Sequence, residues 1–304
     1  MSFWPAINYP AWKRSDTMPE NQQITKDTVV LYHADCNDGF GAAFAAWKKF
    51  GDSADYIPIE HQSPLPEGLD GKQIFFIDII PPDEAIIKKV IKDNASVVAI
   101  DHHKTSESKM NLFKDYSFDN GHSASILAWK YFHPDKPVPK LLLFIEDVDI
   151  WKWEYPETDK FISALSLYEY DFNVWDKIAS DIENPDSFAG YLSNGEIVSN
   201  YSCKIVGWLS EKATMVEFEG YKVYAVNAPH FINGRVAHDL IKESFPFAIA
   251  WFQEKNVIHA SLRSDGTVDV SEIAKKYGGG GHKTAAGFSF PAEQPFPWGI
   301  IKND

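Results

Sequence analysis

The chain has few cysteines, no long apolar run and no recognisable secretion signal. Cys36 and Cys203 are the two cysteines in 304 residues, too few for a disulfide framework and compatible with a reducing compartment. No stretch of about 18 apolar residues occurs, which predicts that no helix spans a membrane. The first residues lack the basic and apolar regions of a secretory signal. We therefore expect a cytoplasmic protein that does not use a membrane partner.

Basic residues are also scarce. The chain carries 29 Lys and Arg against 43 Asp and Glu, a formal net charge of −14. Stable binding of long nucleic acid needs many Lys and Arg side chains to neutralise phosphates, so this balance argues against it. A small anionic substrate is compatible with the sequence if locally bound cations reverse the electrostatic field. The content of 44% hydrophobic and 24% charged residues is that of an ordinary globular protein.

Strand and helix patterns alternate from residue 27 onward. Short β-branched or aromatic runs are typical of buried strands, and the segments between them have helical patterns. The predicted strands are 28–32, 74–77 and 97–100, and the predicted helices are 39–47, 83–92, 122–132 and 139–146. This alternation predicts an α/β fold with a doubly wound, mainly parallel sheet.

The pattern of predicted helices and strands changes in the second half of the sequence. Residues 155–212 have an irregular helical pattern, and strand patterns flank Glu219-Gly220-Tyr221 as in a hairpin. Further strands are predicted at 247–253 and 257–263, which indicates a smaller α+β domain. The predicted organisation is an N-terminal arm (1–26), a metal-binding catalytic domain (27–155), a helical connector (156–214) and a substrate-binding domain (215–304).

Polar side chains follow each of the first three predicted strands. The first is followed by His33-Ala34-Asp35-Cys36-Asn37-Asp38, the second by Asp78 and the third by Asp101-His102-His103. The carboxyl ends of parallel strands lie along one sheet edge, so these groups are expected to meet there. Clustered carboxylates repel one another and shift their pKa values unless cations bind. The sequence therefore predicts a site for divalent cations.

The types of ligand indicate which metal is expected. Carboxylates mixed with imidazoles suit Mn²⁺, and suit Mg²⁺ less well because Mg²⁺ prefers oxygen ligands. The ligands exceed what one ion needs, which predicts two ions that share a bridging carboxylate and activate a water. Each carboxylate cluster has a structural alternative: Asp35 or Asp38 as a helix cap, and Asp78 as the start of a turn. Cys36 is either a soft metal ligand or a small buried thiol, and the buried thiol is favoured.

The sequence resembles the DHH phosphoesterase superfamily. The triplet Asp101-His102-His103 carries the resemblance, together with Gly278–His282 and the following Ala285-Ala286-Gly287-Phe288. Ser261-Leu262-Arg263-Ser264 and Val270-Ser271-Glu272-Ile273-Ala274 fit the same C-terminal module. The resemblance covers about residues 27–290 in the expected order.

What this resemblance implies is a two-metal active site in a cleft between the two domains. The implied metal ligands are His33, Asp35, Asp38, Asp78 as the bridging group, His102, and Asp147 in preference to Asp149. Asp101 would orient an imidazole, and His103 would face the substrate phosphate or protonate the leaving group. The family places its early carboxylates as Asp-x-Asp, whereas Asp35 and Asp38 are one residue further apart. This departure leaves open whether both of them reach a metal.

Two further segments are candidates for anion binding. Glycines let backbone N–H groups approach phosphate oxygens, so Gly279, Gly280 and Gly281 are expected to bind substrate together with His282 and Arg263. The alternative for this run is a flexible hinge. Gly121-His122-Ser123-Ala124-Ser125 opens a predicted helix, either as a phosphate site or as an ordinary capped start.

The expected function is metal-dependent hydrolysis of short oligonucleotides or dinucleotides, cyclic dinucleotides included, to mononucleotides. Two divalent ions are the expected cofactors, with Mn²⁺ ahead of Mg²⁺ and Co²⁺. The alternatives are a phosphatase acting on 3′-phosphorylated adenosine nucleotides, a RecJ-type single-strand exonuclease, and a nucleotide-binding regulator with impaired catalysis. The oligomeric state is left open, a homodimer included.

Overall fold

The computed structural model describes residues 23–60, 63–241 and 245–301. Most of the predicted N-terminal arm therefore lies outside the described residues. The chain forms two compact units, each assembled from separate segments. Within the described residues, the first unit contains the chain up to Asp101 and segments 112–154 and 166–187, and the second contains 102–111, 155–165 and the chain from Phe188 onward.

A five-stranded parallel sheet forms the centre of the first unit. Its strands are β1 (Thr28–His33), β2 (Ala54–Ile59), β3 (Gln73–Ile77), β4 (Ser96–Asp101) and β5 (Asp115–Phe118), in the spatial order β2-β1-β3-β4-β5. Each of these strands is parallel to its neighbours. Consecutive residues of β1, β3 and β4 are buried, which requires cover on both sheet faces. The predicted α/β class is confirmed, and the strand order reverses between β1 and β3.

The helices predicted at 39–47, 83–92, 122–132 and 139–146 lie close to those positions, whereas the helix at 230–241 was not predicted. The helices are α1 (Asn37–Phe50), α2 (Glu84–Asp93), α3 (Ala124–Phe132), α4 (Lys140–Asp149), α5 (Thr158–Leu165), α6 (Phe172–Asp181), α7 (Pro185–Ser210), α8 (His230–Ile241) and α9 (Val270–Lys276), with 3₁₀ turns at Gly51–Ser53 and Glu107–Leu112. Along the described parts of the chain, none of them combines the length and apolar character needed to cross a lipid bilayer.

Small residues let α1 pack closely against its neighbours. A Cβ atom on Gly39 would lie 2.2 Å from the carbonyl oxygen of His33, and one on Gly41 would lie 3.1 Å from the Cβ of Ser125. The alanines that follow, Ala42, Ala43, Ala45 and Ala46, are fully buried. The start of α1 is therefore held against the end of β1 by the absence of a side chain at Gly39.

Two strands of this sheet were not predicted from the sequence, and both lie at its edges. β2 contains Pro58, which cannot donate a backbone hydrogen bond and is tolerated at a sheet edge. β5 has four residues, and the first two are exposed. Neither strand has the continuous apolar run that identifies a central parallel strand.

The second unit contains a seven-stranded mixed sheet. Its strands are β6 (Thr214–Phe218), β7 (Tyr221–Asn227), β8 (Phe247–Glu254), β9 (Val257–Ser264), β10 (Gly280–Gly281), β11 (Ala285–Pro291) and β12 (Gly299–Ile300), in the order β10-β11-β9-β8-β7-β6-β12. The β6–β7 hairpin and the β8–β9 pair match the predicted strands, and the α+β class is confirmed. Strands β7 and β8 are parallel and are joined through α8.

Both faces of this sheet are covered. Phe247 and Ile249 pack in one cluster with residues of α9, whereas Ala248 and Ala250 pack in another with residues of α7 and α8. Alternate residues of β8 thus point to opposite faces, as strand geometry requires. The cluster with α9 is rich in aromatic side chains, which include Phe218 and Phe288.

We expect Gly39→Ala to destabilise the protein because its methyl group would overlap the His33 carbonyl oxygen. Overpacking of this kind costs about 1–3 kcal/mol, which should lower the midpoint of urea denaturation. Gly207→Ala is the matched control, since a Cβ there meets no atom within 4 Å and alanine favours the helix. A Gly39→Ala protein as stable as wild type would show that this close approach does not constrain the fold.

Candidate functional site

His33 and Asp78 meet where the strand order reverses. His33 is the last residue of β1, Asp78 directly follows β3, and these two strands are paired neighbours. The His33 Nδ1 lies 3.3 Å from the Asp78 Oδ2. Ligands bind at such reversal points in open α/β sheets because the loops there diverge. The sheet topology therefore places an imidazole and a carboxylate at the expected position of a ligand site.

Asp78 has an unusual backbone conformation. Its φ is 63°, and its backbone N–H donates to the Ile100 carbonyl at 2.8 Å. A left-handed conformation at a residue other than glycine costs of the order of 1–3 kcal/mol and is found most often at functional sites. The side chain is 1% exposed. The bond to β4 thus fixes a strained turn that buries a carboxylate at the sheet edge.

Cys36 completes a group of three donor side chains. Its Sγ, a ring nitrogen of His33 and a carboxylate oxygen of Asp78 all lie within 4.8 Å of one another. Burial raises the pKa of the Cys36 thiol well above its usual value, and the negative charges of Asp78, Asp149 and Asp38 raise it further. Imidazole, thiolate and carboxylate are all metal ligands in proteins. This donor set fits a divalent cation.

The structure separates the two acidic residues that follow β1. Asp35 is exposed, has a φ of 50°, and belongs to none of the donor groups found among the described residues. Asp38 is 1% exposed, and its carboxylate accepts hydrogen bonds from the backbone N–H groups of Ala124 at 2.7 Å and Ser125 at 2.9 Å. Asp38 therefore binds the first turn of α3, and its remaining lone pairs can still accept a cation.

The end of α4 supplies another carboxylate. An oxygen of Asp149 lies within 4.8 Å of an oxygen of Asp38. Asp147, the residue favoured from the sequence, is buried, and its Oδ1 accepts the backbone N–H of Glu154 at 2.7 Å. The two residues thus make different contacts. Asp147 binds the backbone of the loop after α4, and Asp149 lies near Asp38.

Carboxylates also approach one another at the end of β4. Asp101, the last residue of β4, is fully buried, and one of its oxygens lies within 4.8 Å of an oxygen of Asp78. Two charges at that distance repel by about 3 kcal/mol at an effective dielectric constant of about 20. A bound divalent cation would remove this repulsion.

Three histidines come together in the second unit. Ring nitrogens of His102, His103 and His282 lie within 4.8 Å of one another. The rings of His103 and His282 are stacked at a centroid distance of 4.8 Å, and His102 is 1% exposed. Residues far apart in the sequence thus form one cluster of imidazoles, which can bind an anion when protonated or a metal when neutral.

Two contacts fix the segment after His103. The Lys104 Nζ donates to the Asp269 carboxylate at 2.8 Å, and Asp269 also caps α9. Burial opposes ionisation of Asp269, but hydrogen bonds from Lys104 and Ser271 outweigh it and lower its pKa to about 2. Thr105 side-chain atoms would lie 3.2 Å from a Cβ on Gly280. The histidines are therefore held against the glycine segment.

The glycine run is explained largely by close packing. A Cβ on Gly279 would lie 2.0 Å from the Gly287 carbonyl oxygen, and one on Gly281, whose φ is 133°, would lie 2.5 Å from the Ala285 carbonyl oxygen. Gly280 and Gly281 pair with β11. The N–H of Gly279 already donates to the Ala274 carbonyl at 2.9 Å. The run therefore positions His282 beside β11, and the Gly279 N–H serves the fold.

Arg263 lies on β9 beside another glycine. Its Nη1 donates to the Leu262 carbonyl at 3.0 Å, and its Nη2 would lie 2.9 Å from a Cβ on Gly234. Gly234 on α8 thus leaves room for the guanidinium group. Arg235, the next residue, forms an ion pair with Asp159 at 2.7 Å.

The start of α3 is a capped helix start. The Ser123 N–H donates to Glu146 at 3.0 Å, while Asp38 binds the next two N–H groups. Glu146, which the sequence did not identify, is buried and also contacts His122 at 3.0 Å and Lys152 at 2.8 Å. Burial alone would raise the pKa of Glu146, but these partners lower it below its usual value. Carboxylates of the protein therefore occupy the donors considered for phosphate.

Comparisons with known proteins agree with this architecture. An uncharacterised protein of Acanthamoeba polyphaga mimivirus is 31% identical, over 90% of this chain and 70% of the viral protein. The DHHA1 domain family matches residues 227–297. The chain belongs to the DHH phosphoesterase superfamily. Asp101-His102-His103 is thus the triplet that gives the DHH superfamily its name, and the predicted enzyme class, a phosphoester hydrolase, is confirmed at the level of the superfamily.

Solved DHH structures share the fold at low sequence identity. The DHH domain of a protein assigned to a family of ribosomal proteins has a TM-score of 0.54 and 14% identity, over 86% of this chain and 82% of that one. RecJ from Thermus thermophilus in complex with Mn²⁺ has a TM-score of 0.50 and 14% identity, over 86% of this chain and 49% of RecJ. At these identities the likeness is one of fold.

Proposed function

We propose that this DHH protein hydrolyses phosphoester bonds in short oligonucleotides or dinucleotides, linear or cyclic, and releases mononucleotides. The observation that carries the proposal is the contact of His33 with Asp78 at the reversal point of a parallel sheet. Two divalent cations are the proposed cofactors. Mn²⁺ is placed first because the donors mix nitrogen with oxygen, and the RecJ of similar fold was crystallised with Mn²⁺.

The proposed metal ligands are the acidic and imidazole groups at the ends of the strands. His33 and Asp78 are supported by their mutual contact, and Asp38 and Asp149 by the approach of their carboxylates. Asp149 replaces Asp147 in this proposal, and Asp35 is left out because it is exposed. Cations bound there would supply Lewis acidity, which activates a water and neutralises charge on phosphate oxygens.

The histidines are proposed to act on the substrate. His103 donates a proton to the departing ribose oxygen, and the buried His102 is a further metal ligand. Asp101, adjacent to His102 in the sequence, holds an imidazole in the required orientation. His282, stacked on His103, binds a terminal phosphate of the substrate, assisted by Arg263. Gly280 and Gly281 contribute by holding His282 in place.

An exposed aromatic pair supports a substrate that contains nucleobases. Trp151 and Trp153 follow α4, have φ values of 60° and 54°, and are 43% and 40% exposed. Their rings are 5.1 Å apart. Backbone N–H groups of Lys152 and Trp153 donate to the Asp147 carbonyl, so the loop is firmly held. Exposed aromatic rings on a rigid loop can stack with bases, and they begin two residues after the proposed ligand Asp149.

The substrate range can be measured directly with purified protein and Mn²⁺. The panel contains di- to pentanucleotides, cyclic dinucleotides, 3′-phosphorylated adenosine nucleotides and long single strands. Dinucleotides and the shortest oligonucleotides should give the highest kcat/KM, because the net charge of −14 disfavours long polymers. Tight nucleotide binding with no turnover on any substrate would instead indicate a regulator.

Asp78→Asn and Asp149→Asn should lower kcat on a dinucleotide by about 10²-fold or more, because each removes a proposed ligand at the metal site. Metal content per chain, measured on the same preparations, should fall with activity. Asp35→Asn is the matched comparison and should keep most of both. Full activity of Asp78→Asn with an intact fold would remove Asp78 from the site.

His282→Ala should raise KM for the 5′-phosphorylated dinucleotide pApA by about 10-fold or more, the value of a hydrogen bond to a charged group. KM for unphosphorylated ApA should change much less. His259→Ala, which removes an imidazole bonded to Ser289 in the same sheet, controls for general effects. Equal changes for pApA and ApA would contradict the phosphate-binding role of His282.

Trp153→Ala should raise KM for ApA about 5-fold or more, in line with about 1–3 kcal/mol for stacking of a base on an aromatic ring. Trp153→Phe should retain most of the affinity, and the abasic counterpart of ApA should be insensitive to either change. If KM for the abasic compound rose as much as KM for ApA, the loop would act through the fold and not through stacking.

A further inference from the structure

We infer that Cys36 is itself a metal ligand, and that its sulfur completes a nitrogen, sulfur and oxygen donor set with His33 and Asp78. The inference rests on the proposed function, since it concerns the same cation site. It changes the expected chemistry of that site, because the sequence favoured a packed thiol at this position.

The geometry supports a ligand in preference to a packing residue. The three donor atoms lie within 4.8 Å of one another, and they come from β1, the loop after it and the turn after β3. Cys36 as a whole residue is partly exposed, while its thiol is buried enough for burial to raise the thiol pKa. The support for a ligand is therefore the approach of the three donor atoms.

The local backbone gives a second argument. Cys36 occupies the N-cap position of α1 with extended angles, φ −129° and ψ 131°, and its side chain makes no capping hydrogen bond. Ser, Asp and Asn are the residues that stabilise an N-cap. Cysteine is not one of these residues, and its Sγ lies with the donor atoms of His33 and Asp78.

Cys36 takes the place in this loop that the sequence assigned to Asp35. Cys36 stands two residues before Asp38, whereas Asp35 stands three residues before it and is exposed. With Asp35 turned outward at a φ of 50°, the donors of this loop are Cys36 and Asp38. The loop thus provides one sulfur and one carboxylate where two carboxylates were expected.

A thiolate ligand alters which metal the site prefers. Sulfur donors favour Co²⁺ and Zn²⁺, whereas Mg²⁺ and Mn²⁺ favour oxygen donors. The thiol proton leaves to solvent as the metal–sulfur bond forms. We expect wild type to bind Co²⁺ and Zn²⁺ more tightly than the variant Cys36→Asp, in which oxygen replaces the sulfur, by about 10-fold or more.

Titration of the metal-free full-length protein with Co²⁺ tests the inference. A thiolate bound to Co²⁺ gives a near-ultraviolet charge-transfer band, whereas imidazole and carboxylate ligands leave the weaker visible bands alone. Wild type and Cys203→Ser should both show the near-ultraviolet band, because Cys203 is an exposed residue of α7. Cys36→Ser should lose that band and keep visible bands from the remaining ligands.

A second measurement needs no variant. In wild type, bound Zn²⁺ should slow alkylation of Cys36 at least about 10-fold, followed by peptide mass spectrometry, and should leave alkylation of Cys203 unchanged as an internal reference. Equal alkylation of Cys36 with and without metal, or an unchanged Co²⁺ spectrum in Cys36→Ser, would overturn the inference. Neither experiment measures hydrolysis, so a failed substrate assay with a normal thiolate band would refute the proposed function alone.

Discussion

The mutual repulsion of carboxylates at one edge of a parallel sheet is the constraint on which the first unit depends. Asp78 and Asp101 are almost fully buried, and each of the pairs Asp78–Asp101 and Asp38–Asp149 brings oxygens within 4.8 Å. Part of the cost is offset locally, since the first turn of α3 donates two N–H groups to Asp38 and His33 contacts Asp78. Negative charge at a helix N-terminus is also favoured by the helix dipole. Divalent cations bound at this sheet edge would offset the remainder.

Close packing at glycines fixes the positions of polar residues at this sheet edge and in the second unit. Gly39 lets α1 begin against the last residue of β1, which brings Cys36 towards His33. In the second unit, Gly279 and Gly281 let the segment before His282 lie against β11. In both cases the glycine acts by the absence of a side chain near a carbonyl oxygen, and the adjacent polar residue is positioned as a result.

The sequence was sufficient to predict the strands and helices that have strong periodicity. It was insufficient to predict the direction of a side chain that depends on one backbone angle. The central strands β1, β3 and β4 were predictable because both of their faces are buried, whereas β2 was obscured by Pro58. The convergence of His33 and Asp78 followed from the rule for strand ends. Spacing alone did not show that Asp35 turns outward at a φ of 50°. Glu146 was missed because its partners His122, Ser123 and Lys152 come from segments without a shared motif.

The distribution of charge determines which groups of the protein can bind an anion without a metal. The N-terminus of α3, which would ordinarily attract phosphate, is already bound by Asp38 and Glu146. Under the proposed function, an anionic substrate would meet carboxylates in the first unit, and its attraction there would depend on cations that reverse the local field. The groups of the second unit that suit anions, His282 and Arg263, would act through hydrogen bonds that require no metal. The proposal thus assigns recognition of the phosphate and activation of its bond to different residues, and only the activation would require metal bound to the acids of the sheet edge.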